Sequence, residues 1–101
     1  MTSVSIKQNG SDISFIEVKG HSGYACQGSD IVCSAVSTAV YVSIGLLEKA
    51  NAKFELKEDE KSALISIQIL EVNDLTNLIM SNLKDALESI ALEYKQYVKI
   101  K

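Results

Sequence analysis

Residues 20–48, GHSGYACQGSDIVCSAVSTAVYVSIGLLE, decide how the rest of the chain must fold. This stretch contains the only histidine, both cysteines and four of the five glycines. Its first part, residues 20–28, is too rich in glycine to be regular structure and predicts a loop. Its second part is apolar and has no turn residue before Gly45, which predicts a long helix. We expect the remaining elements to cover this helix and to support the loop that precedes it.

The apolar part of the stretch predicts a helix over Ile31–Lys49. Its β-branched residues locally favour a strand, but strands usually run about 3–10 residues and this segment is longer. Asp30 stands at the N-cap position, where its carboxylate can accept from the free N–H groups of the first turn. Cys33 then becomes the third residue of the helix. Because apolar side chains occupy almost every face, we expect neighbouring elements to cover the helix on nearly all sides.

The same segment must also be considered as a membrane span, because residues 31–47 carry no charge. That length is at the lower edge of the roughly 17–25 residues that cross a bilayer. Small and polar residues interrupt it, however, and neither a Lys/Arg cluster nor a tryptophan flanks it. The sequence therefore favours a buried helix of a soluble domain, without a membrane partner.

The N-terminal residues indicate the cellular compartment of this chain, and its charge indicates which partners it can bind. MTSVSIKQNG lacks the charged and apolar regions of a signal peptide, so a cytoplasmic location is expected. In that reducing compartment Cys26 and Cys33 should be free thiols. The net charge is −3, and the chain has no arginine and no run of lysines. This composition argues against direct binding of nucleic acid, although a basic protein would suit as substrate.

Two β-hairpins are predicted, one on each side of the long helix. Residues 4–8 and 13–19 form the first, because Asn9-Gly10 between them is a strong hairpin signal. Two adjacent apolar residues blur the alternation of its second strand. Residues 53–57 and 63–70 form the second hairpin, whose charged turn should protrude into solvent.

A second helix and a short strand complete the predicted domain. Asn73-Asp74 caps the helix, and a strand at residues 97–100 could pair at a sheet edge. The order ββαββαβ predicts an α+β fold, with helices packed on a mixed or antiparallel sheet, in one domain over residues 1–101. The apolar stripe of the second helix recurs at three- and four-residue steps: Leu75, Leu78, Ile79, Leu83, Ala86, Leu87, Ile90 and Tyr94.

Cys33 and His21 are the candidate nucleophile and base. A thiol at a helix N-terminus favours the reactive thiolate, because free N–H groups and the helix dipole stabilise negative charge. His21 lies on the glycine-rich loop, twelve residues before Cys33, and a loop of that length can bring it to the thiol. The alternative is that Cys33 is an inert buried residue and His21 a structural one. Spacing alone leaves both interpretations open.

The neighbours of Cys33 also have more than one interpretation. Asp30 is either only a helix cap or a third member that orients the imidazole. Ser37, one turn beyond Cys33, either donates to a substrate or is a small packing residue. The N–H groups of the first turn, including that of Cys33, are natural candidates for an oxyanion hole.

Cys26 suggests a metal or redox site, but its spacing suits neither. A zinc site from His21, Cys26, Cys33 and Asp30 would lack the usual close pair of cysteines and would place two ligands in a glycine-rich loop. The C-x₆-C spacing also differs from the C-x-x-C of redox motifs. We therefore expect neither a metal nor another cofactor.

The string DIVCSAVS at residues 30–37, downstream of GH at 20–21 and GYA at 23–25, resembles the ribosomal-processing cysteine protease family, Prp. The resemblance extends over nearly the whole chain. It implies a homodimeric bacterial cysteine endopeptidase that removes a short N-terminal extension from the large-subunit ribosomal protein L27, cutting next to aromatic residues. The small-residue helix or an exposed strand edge would then supply part of the dimer interface.

The resemblance also implies roles for individual residues. The catalytic histidine matches His21 and the nucleophile Cys33, while Asp30 and Ser37 match further motif positions near the site. The loop at residues 20–29, with Gly20, Gly23 and Tyr24, matches a mobile cover that orders over substrate. Tyr24 is a candidate lining of the apolar groove that an aromatic-flanked scissile bond needs.

Three residues depart from the family pattern. Ser22 and Ser34 occupy positions where alanine is common, and Cys26 is an additional thiol in the loop. None of the three is expected to touch the catalytic pair. Two other functions remain as alternatives: a non-catalytic factor that binds a ribosomal precursor, and a thiol-redox or metal-binding module that uses Cys26 and Cys33.

Overall fold

A five-stranded sheet and two helices make up the structure, a computed structural model that describes residues 1–26 and 29–101. The strand order in the sheet is β3-β4-β2-β1-β5, and only β5 runs parallel to its neighbour, β1. The predicted order ββαββαβ is confirmed, and the predicted elements end within two residues of the observed ones. The elements are β1 (Thr2–Asn9), β2 (Asp12–Lys19), α1 (Ile31–Lys49), β3 (Phe54–Asp59), β4 (Leu64–Ile69), α2 (Asp74–Glu93) and β5 (Val98–Ile100).

A β-bulge in the first hairpin explains the blurred pattern of β2. Lys7 pairs with Phe15 and Gln8 pairs with Ile13, so Ser14 has no partner on β1. An extra residue of this kind shifts the alternation of side chains by one position. Ile13 and Ile16 are therefore both buried, although they are three residues apart.

Both helices pack on the same face of the sheet, and one core lies between them and the strands. Cross-strand neighbours supply the strand side of that core, for example Val4 with Val18 and Ile16 with Ile67. The opposite face is more polar and carries Lys7, whose ammonium lies 5.0 Å from the centre of the Phe15 ring. The helices contribute the rest of the core: Val32, Val36, Val40, Ile44, Leu47, Ile79, Met80, Leu83 and Leu87.

The expectation that other elements cover α1 on nearly all sides is wrong. One face of α1 packs into the core, but Val42 and Leu46 on the outer side are 59% and 45% exposed. The reason is that both helices lie in one layer over one sheet, so nothing in the described chain packs above them. Within the described chain, α1 alone is long and apolar enough to cross a membrane, with a mean hydropathy of 1.7, and 33% of that segment is buried.

The predicted stripe of α2 is only partly correct. Asn73 caps the helix as predicted, in a capping box with Thr76. Leu75 and Leu78 are 47% and 66% exposed, whereas Thr76 and Met80 are buried with Ile79, Leu83 and Leu87. The helix faces the core with the side that carries Thr76 and Met80, so the two leucines of the first turns point away from the core.

The second hairpin also differs from the prediction at its turn. Ala63 lies outside β4, because its φ of 50° is in the left-handed region and cannot continue an extended strand. Its carbonyl instead accepts a hydrogen bond from the N–H of Gly20 at 3.0 Å. This contact brings the tip of the second hairpin next to the loop that carries His21.

Candidate active site

The N-terminus of α1 holds Cys33 in a fixed position. Asp30 is the N-cap, and its Oδ1 accepts from the N–H groups of Val32 at 3.0 Å and Cys33 at 2.9 Å. This confirms the predicted cap and makes half-buried Cys33 the third residue of the helix. The sulfur therefore lies at the positive end of the helix dipole, where negative charge is stabilised.

The same cap occupies two of the first-turn N–H groups that were candidates for an oxyanion hole, those of Val32 and Cys33. Both groups already donate to Asp30, so neither is free to bind a substrate oxygen. An N-cap carboxylate normally takes the N–H groups of the second and third helical residues, which are the two in question.

Asp30 is ionised at neutral pH. Burial of the carboxyl opposes its ionisation, but hydrogen bonds outweigh burial and lower its pKa from 3.8 to about 2. They come from the Ser22 hydroxyl, the N–H groups of Cys33 and Ala25, and the Cys33 thiol. Among the described residues no hydrogen bond joins Asp30 to the His21 ring, so in this structure Asp30 binds the first turn of the helix, Ser22 and the Cys33 thiol.

Ser22 makes contacts that the sequence did not indicate. Its N–H donates to Cys33 Sγ at 3.3 Å, and its hydroxyl donates to Asp30 Oδ2. The same hydroxyl accepts from the N–H of Tyr24 at 3.2 Å. Ser22 is only 2% exposed. The expectation that none of the unusual residues touches the catalytic pair is therefore wrong for Ser22.

Gly20 fixes the start of the loop that presents His21. Its φ of +93° lies where side-chain-bearing residues are rarely found, and a Cβ there would lie 2.7 Å from the carbonyl oxygen of Met1. The Gly20 carbonyl accepts from Thr2 Oγ1 at 3.0 Å. Gly23 also has a positive φ, of +77°, but a Cβ at Gly23 would meet open space. Of these two described loop glycines, Gly20 is therefore the one that close packing requires.

Two clefts meet at His21, Cys33 and Ser37, which line both of them. One cleft has a volume of about 280 Å³ and extends along α1 towards Tyr41. The other has a volume of about 450 Å³ and lies beside Asp30, Ser34 and Thr38, with Gly23 and Ala25 opposite. Cys33, Ser37 and Tyr41 share one face because they are spaced by four residues on a helix. The predicted nucleophile, base and supporting serine thus lie together where the clefts join.

The first cleft has an acidic rim, formed by Glu58, Asp59 and Glu60 of the second hairpin. Tyr41 donates to Glu58 at 3.0 Å and links this rim to α1, and that hydrogen bond raises the pKa of the tyrosine. The same charged run is predicted from the sequence to protrude into solvent as a turn. The turn is exposed, but it also borders the site. Residues 58–60 are far from Cys33 in the sequence, so the sequence did not indicate that they lie beside the site.

Tyr24 lies against the C-terminal part of the chain instead of in either cleft. Its ring makes edge-on contacts with Tyr94 and Tyr97, with centroid distances of 5.8 Å and 5.3 Å. Such contacts are favourable aromatic geometries, so they fix this part of the loop on the body of the domain. The predicted cover at residues 20–29 includes Gln27 and Gly28, which lie outside the described residues.

Cys26 is exposed and unpaired, as is expected of a free thiol. Within residues 1–26 and 29–101, no group of three or more His, Cys, Asp or Glu side chains is placed to hold a metal ion. The chemistry available at the junction of the clefts is that of a thiol and an imidazole, with a hydroxyl beside them.

Comparisons with known proteins identify the family and the fold of this chain. The chain is 27% identical over 100 residues to the ribosomal processing cysteine protease Prp of Mycoplasma genitalium, covering 99% of this chain and 94% of the relative. Its fold matches the Prp protease of S. aureus bound to a covalently linked product peptide, with a TM-score of 0.94 and 22% identity over 100% and 98% of the two chains.

Two further solved structures share the fold. One is the same S. aureus protease with a substrate peptide, at a TM-score of 0.88 and 21% identity, covering 100% and 98% of the two chains. The other is a Streptococcus mutans protein, at a TM-score of 0.86 and 23% identity, covering 100% and 92%. The family described as cysteine protease Prp matches residues 1–99. The chain therefore belongs to the Prp family of cysteine proteases.

Proposed function

We propose that this protein removes the N-terminal extension of the large-subunit ribosomal protein L27, with Cys33 as nucleophile and His21 as general base. The observation that carries the proposal is the position of the two side chains. Both line both clefts, so a peptide that passes from one cleft to the other would cross the thiol and the imidazole.

In the first half of the reaction the Cys33 thiol gives its proton to His21, and the sulfur attacks the carbonyl carbon of the scissile peptide bond. The tetrahedral intermediate then collapses, and the carbon–nitrogen bond breaks. The imidazolium returns its proton to the leaving amine, which departs as the new N-terminus of the trimmed protein. The extension remains on Cys33 as a thioester.

In the second half a water molecule gives a proton to His21 and adds to the thioester carbonyl. The carbon–sulfur bond breaks, and the extension leaves as a carboxylic acid, which then loses its proton to the solvent. The proton returns to sulfur, and the free thiol is restored. Ser37, which lines both clefts next to Cys33, donates a hydrogen bond to the bound peptide.

The acidic rim supports a ribosomal protein as substrate. Ribosomal proteins are basic, and Glu58, Asp59 and Glu60 border the first cleft of a chain whose net charge is −3. Opposite charges steer a partner towards a site and raise the rate of association. The name of the Mycoplasma genitalium relative, a ribosomal processing protease, and the peptide complexes of the S. aureus protein support the same substrate class.

The experiment that tests this function is incubation with the L27 precursor of the same organism, followed by mass measurement. We expect one cut that removes the extension, next to an aromatic residue. The mature protein that lacks the extension is the matched control and should stay intact. An uncut precursor that nevertheless binds would favour a non-catalytic binding factor, whose groove would be the same pair of clefts.

We further propose that the protein works as a homodimer in the cytoplasm, where its substrate is made. A second copy would cover the exposed apolar face of α1, around Val42 and Leu46. Sedimentation equilibrium should then give twice the mass of one 11.0 kDa chain. Val42→Glu should give single chains, whereas Leu92→Glu, at a 70% exposed site on α2, should not. A single-chain mass for the unmodified protein at micromolar concentration contradicts the dimer, and cell fractionation checks the location.

A further inference from the structure

We infer that Ser22 is a positioning residue for the nucleophile: its N–H donates to Cys33 Sγ, and its hydroxyl, bound to Asp30, holds that N–H in place. The inference rests on the proposed function only in that Cys33 is taken as the nucleophile. It assigns a task to a loop residue whose contacts the sequence did not indicate.

Burial makes the contact between Ser22 and Asp30 strong. Ser22 is 2% exposed and Asp30 is 7% exposed, so water does not compete for either group. A hydrogen bond to an ionised carboxylate is shorter and stronger than one between neutral groups, and more so away from water. The Ser22 hydroxyl also accepts from the N–H of Tyr24. Its orientation is therefore fixed from both sides.

The N–H of Ser22 is important because the N–H groups of the first helical turn that could otherwise stabilise negative charge at the site already donate to Asp30. The N–H groups of Val32 and Cys33 both point to Asp30 Oδ1. Among the described residues, the N–H of Ser22 is the donor that contacts the sulfur, at 3.3 Å. A donor at this position stabilises the negative charge that the sulfur carries when it attacks a carbonyl.

In this network the Asp30 carboxylate binds the first turn of α1 and the loop at the same time. One carboxylate oxygen holds the first turn of α1, and the other holds the loop residue that follows His21. The carboxylate thus ties the segment bearing the base to the helix bearing the nucleophile. Asp30 contacts the Cys33 thiol directly and also acts on it through Ser22, without a hydrogen bond to the imidazole in the described structure.

The test uses a Cys26→Ala background, so that Cys33 is the only thiol. Ser22→Ala should slow alkylation of Cys33 by iodoacetamide at neutral pH about tenfold, because it removes a hydrogen bond to a charged group. On the precursor, kcat should fall by a similar factor, with KM changed less than about twofold. Ser22→Thr keeps the hydroxyl and should restore most of both rates.

Ser43→Ala is the matched control. Ser43 is 4% exposed on the same helix, and its hydroxyl donates to the Ala39 carbonyl at 2.9 Å, far from the thiol. Its loss should leave the alkylation rate and kcat unchanged. If Ser43→Ala slows alkylation as much as Ser22→Ala, or if Ser22→Ala has the wild-type rate, the inference is wrong.

A second variant tests the same inference in case Ser22→Ala does not fold. Asp30→Asn still caps the helix, since asparagine is a good N-cap, but it removes the charged acceptor of the Ser22 hydroxyl. Because Asp30 also contacts the thiol directly, the rate of Asp30→Asn alone is the reference, and adding Ser22→Ala to it should slow alkylation no further. Additive effects would overturn the inference. Because alkylation needs no peptide substrate, a wild-type protein that fails to cut the precursor would count only against the proposed function.

Discussion

Cleavage of the precursor by the Cys33→Ala variant is expected to fall by roughly a million-fold, the usual loss when a nucleophile is removed. No other side chain can form the thioester, since Cys26 is exposed and does not line the two described clefts. The fold should be unaffected. Cys33 is half-buried, and its Asp30 cap depends on its N–H and not on its sulfur, so the stability should change by no more than about 1 kcal/mol.

The measurement is precursor cleavage followed by mass spectrometry, together with precursor binding by the same variant. We expect binding close to that of the wild-type protein, because alanine leaves both clefts open. Cys26→Ala is the matched control: it removes the other thiol and should cut at the wild-type rate. Retained cleavage by Cys33→Ala would refute the protease mechanism, and lost activity in Cys26→Ala would instead favour a thiol-redox or metal-binding module.

Local spacing explains why the helix and its thiol could be predicted. Asp30 and Cys33 are three residues apart, so one N-cap rule fixes both the start of the helix and the place of the sulfur. Gly20 was likewise recognisable as a loop residue, and its positive φ agrees with that prediction. These features depend on neighbours in the chain. They did not require knowledge of the tertiary structure.

The missed features depend on contacts between distant segments. Ser22 donates to Cys33 through its backbone N–H, a group that every residue except proline has, so its residue type gave no signal. The acidic rim depends on the contact between Gly20 and Ala63, which are far apart in the chain. Periodicity predicts an apolar stripe that includes Leu78, whereas the side of the helix that faces the core depends on its packing against distant segments, and Leu78 is 66% exposed.

The His21→Ala variant is expected to lower kcat on the precursor by about 10²–10⁴-fold, the range for loss of a general base and acid. The loss should be smaller than that of Cys33→Ala because the nucleophilic sulfur remains and water can take its proton. Its stability should be close to wild type. His21 is exposed, and among the described residues no hydrogen bond ties its ring to the fold.

Free imidazole offers a sharper measurement than the loss of rate alone. Because His21 is exposed and lines both clefts, its removal opens a space beside Cys33 that dissolved imidazole can enter. Imidazole should therefore restore part of the cleavage by His21→Ala, in proportion to its concentration, and restore nothing in Cys33→Ala. A structural histidine would not be replaced in this way, because an imidazole in solution supplies a proton acceptor but no packing or chain geometry. Cleavage by His21→Ala within a few-fold of wild type would show instead that another group takes the thiol proton.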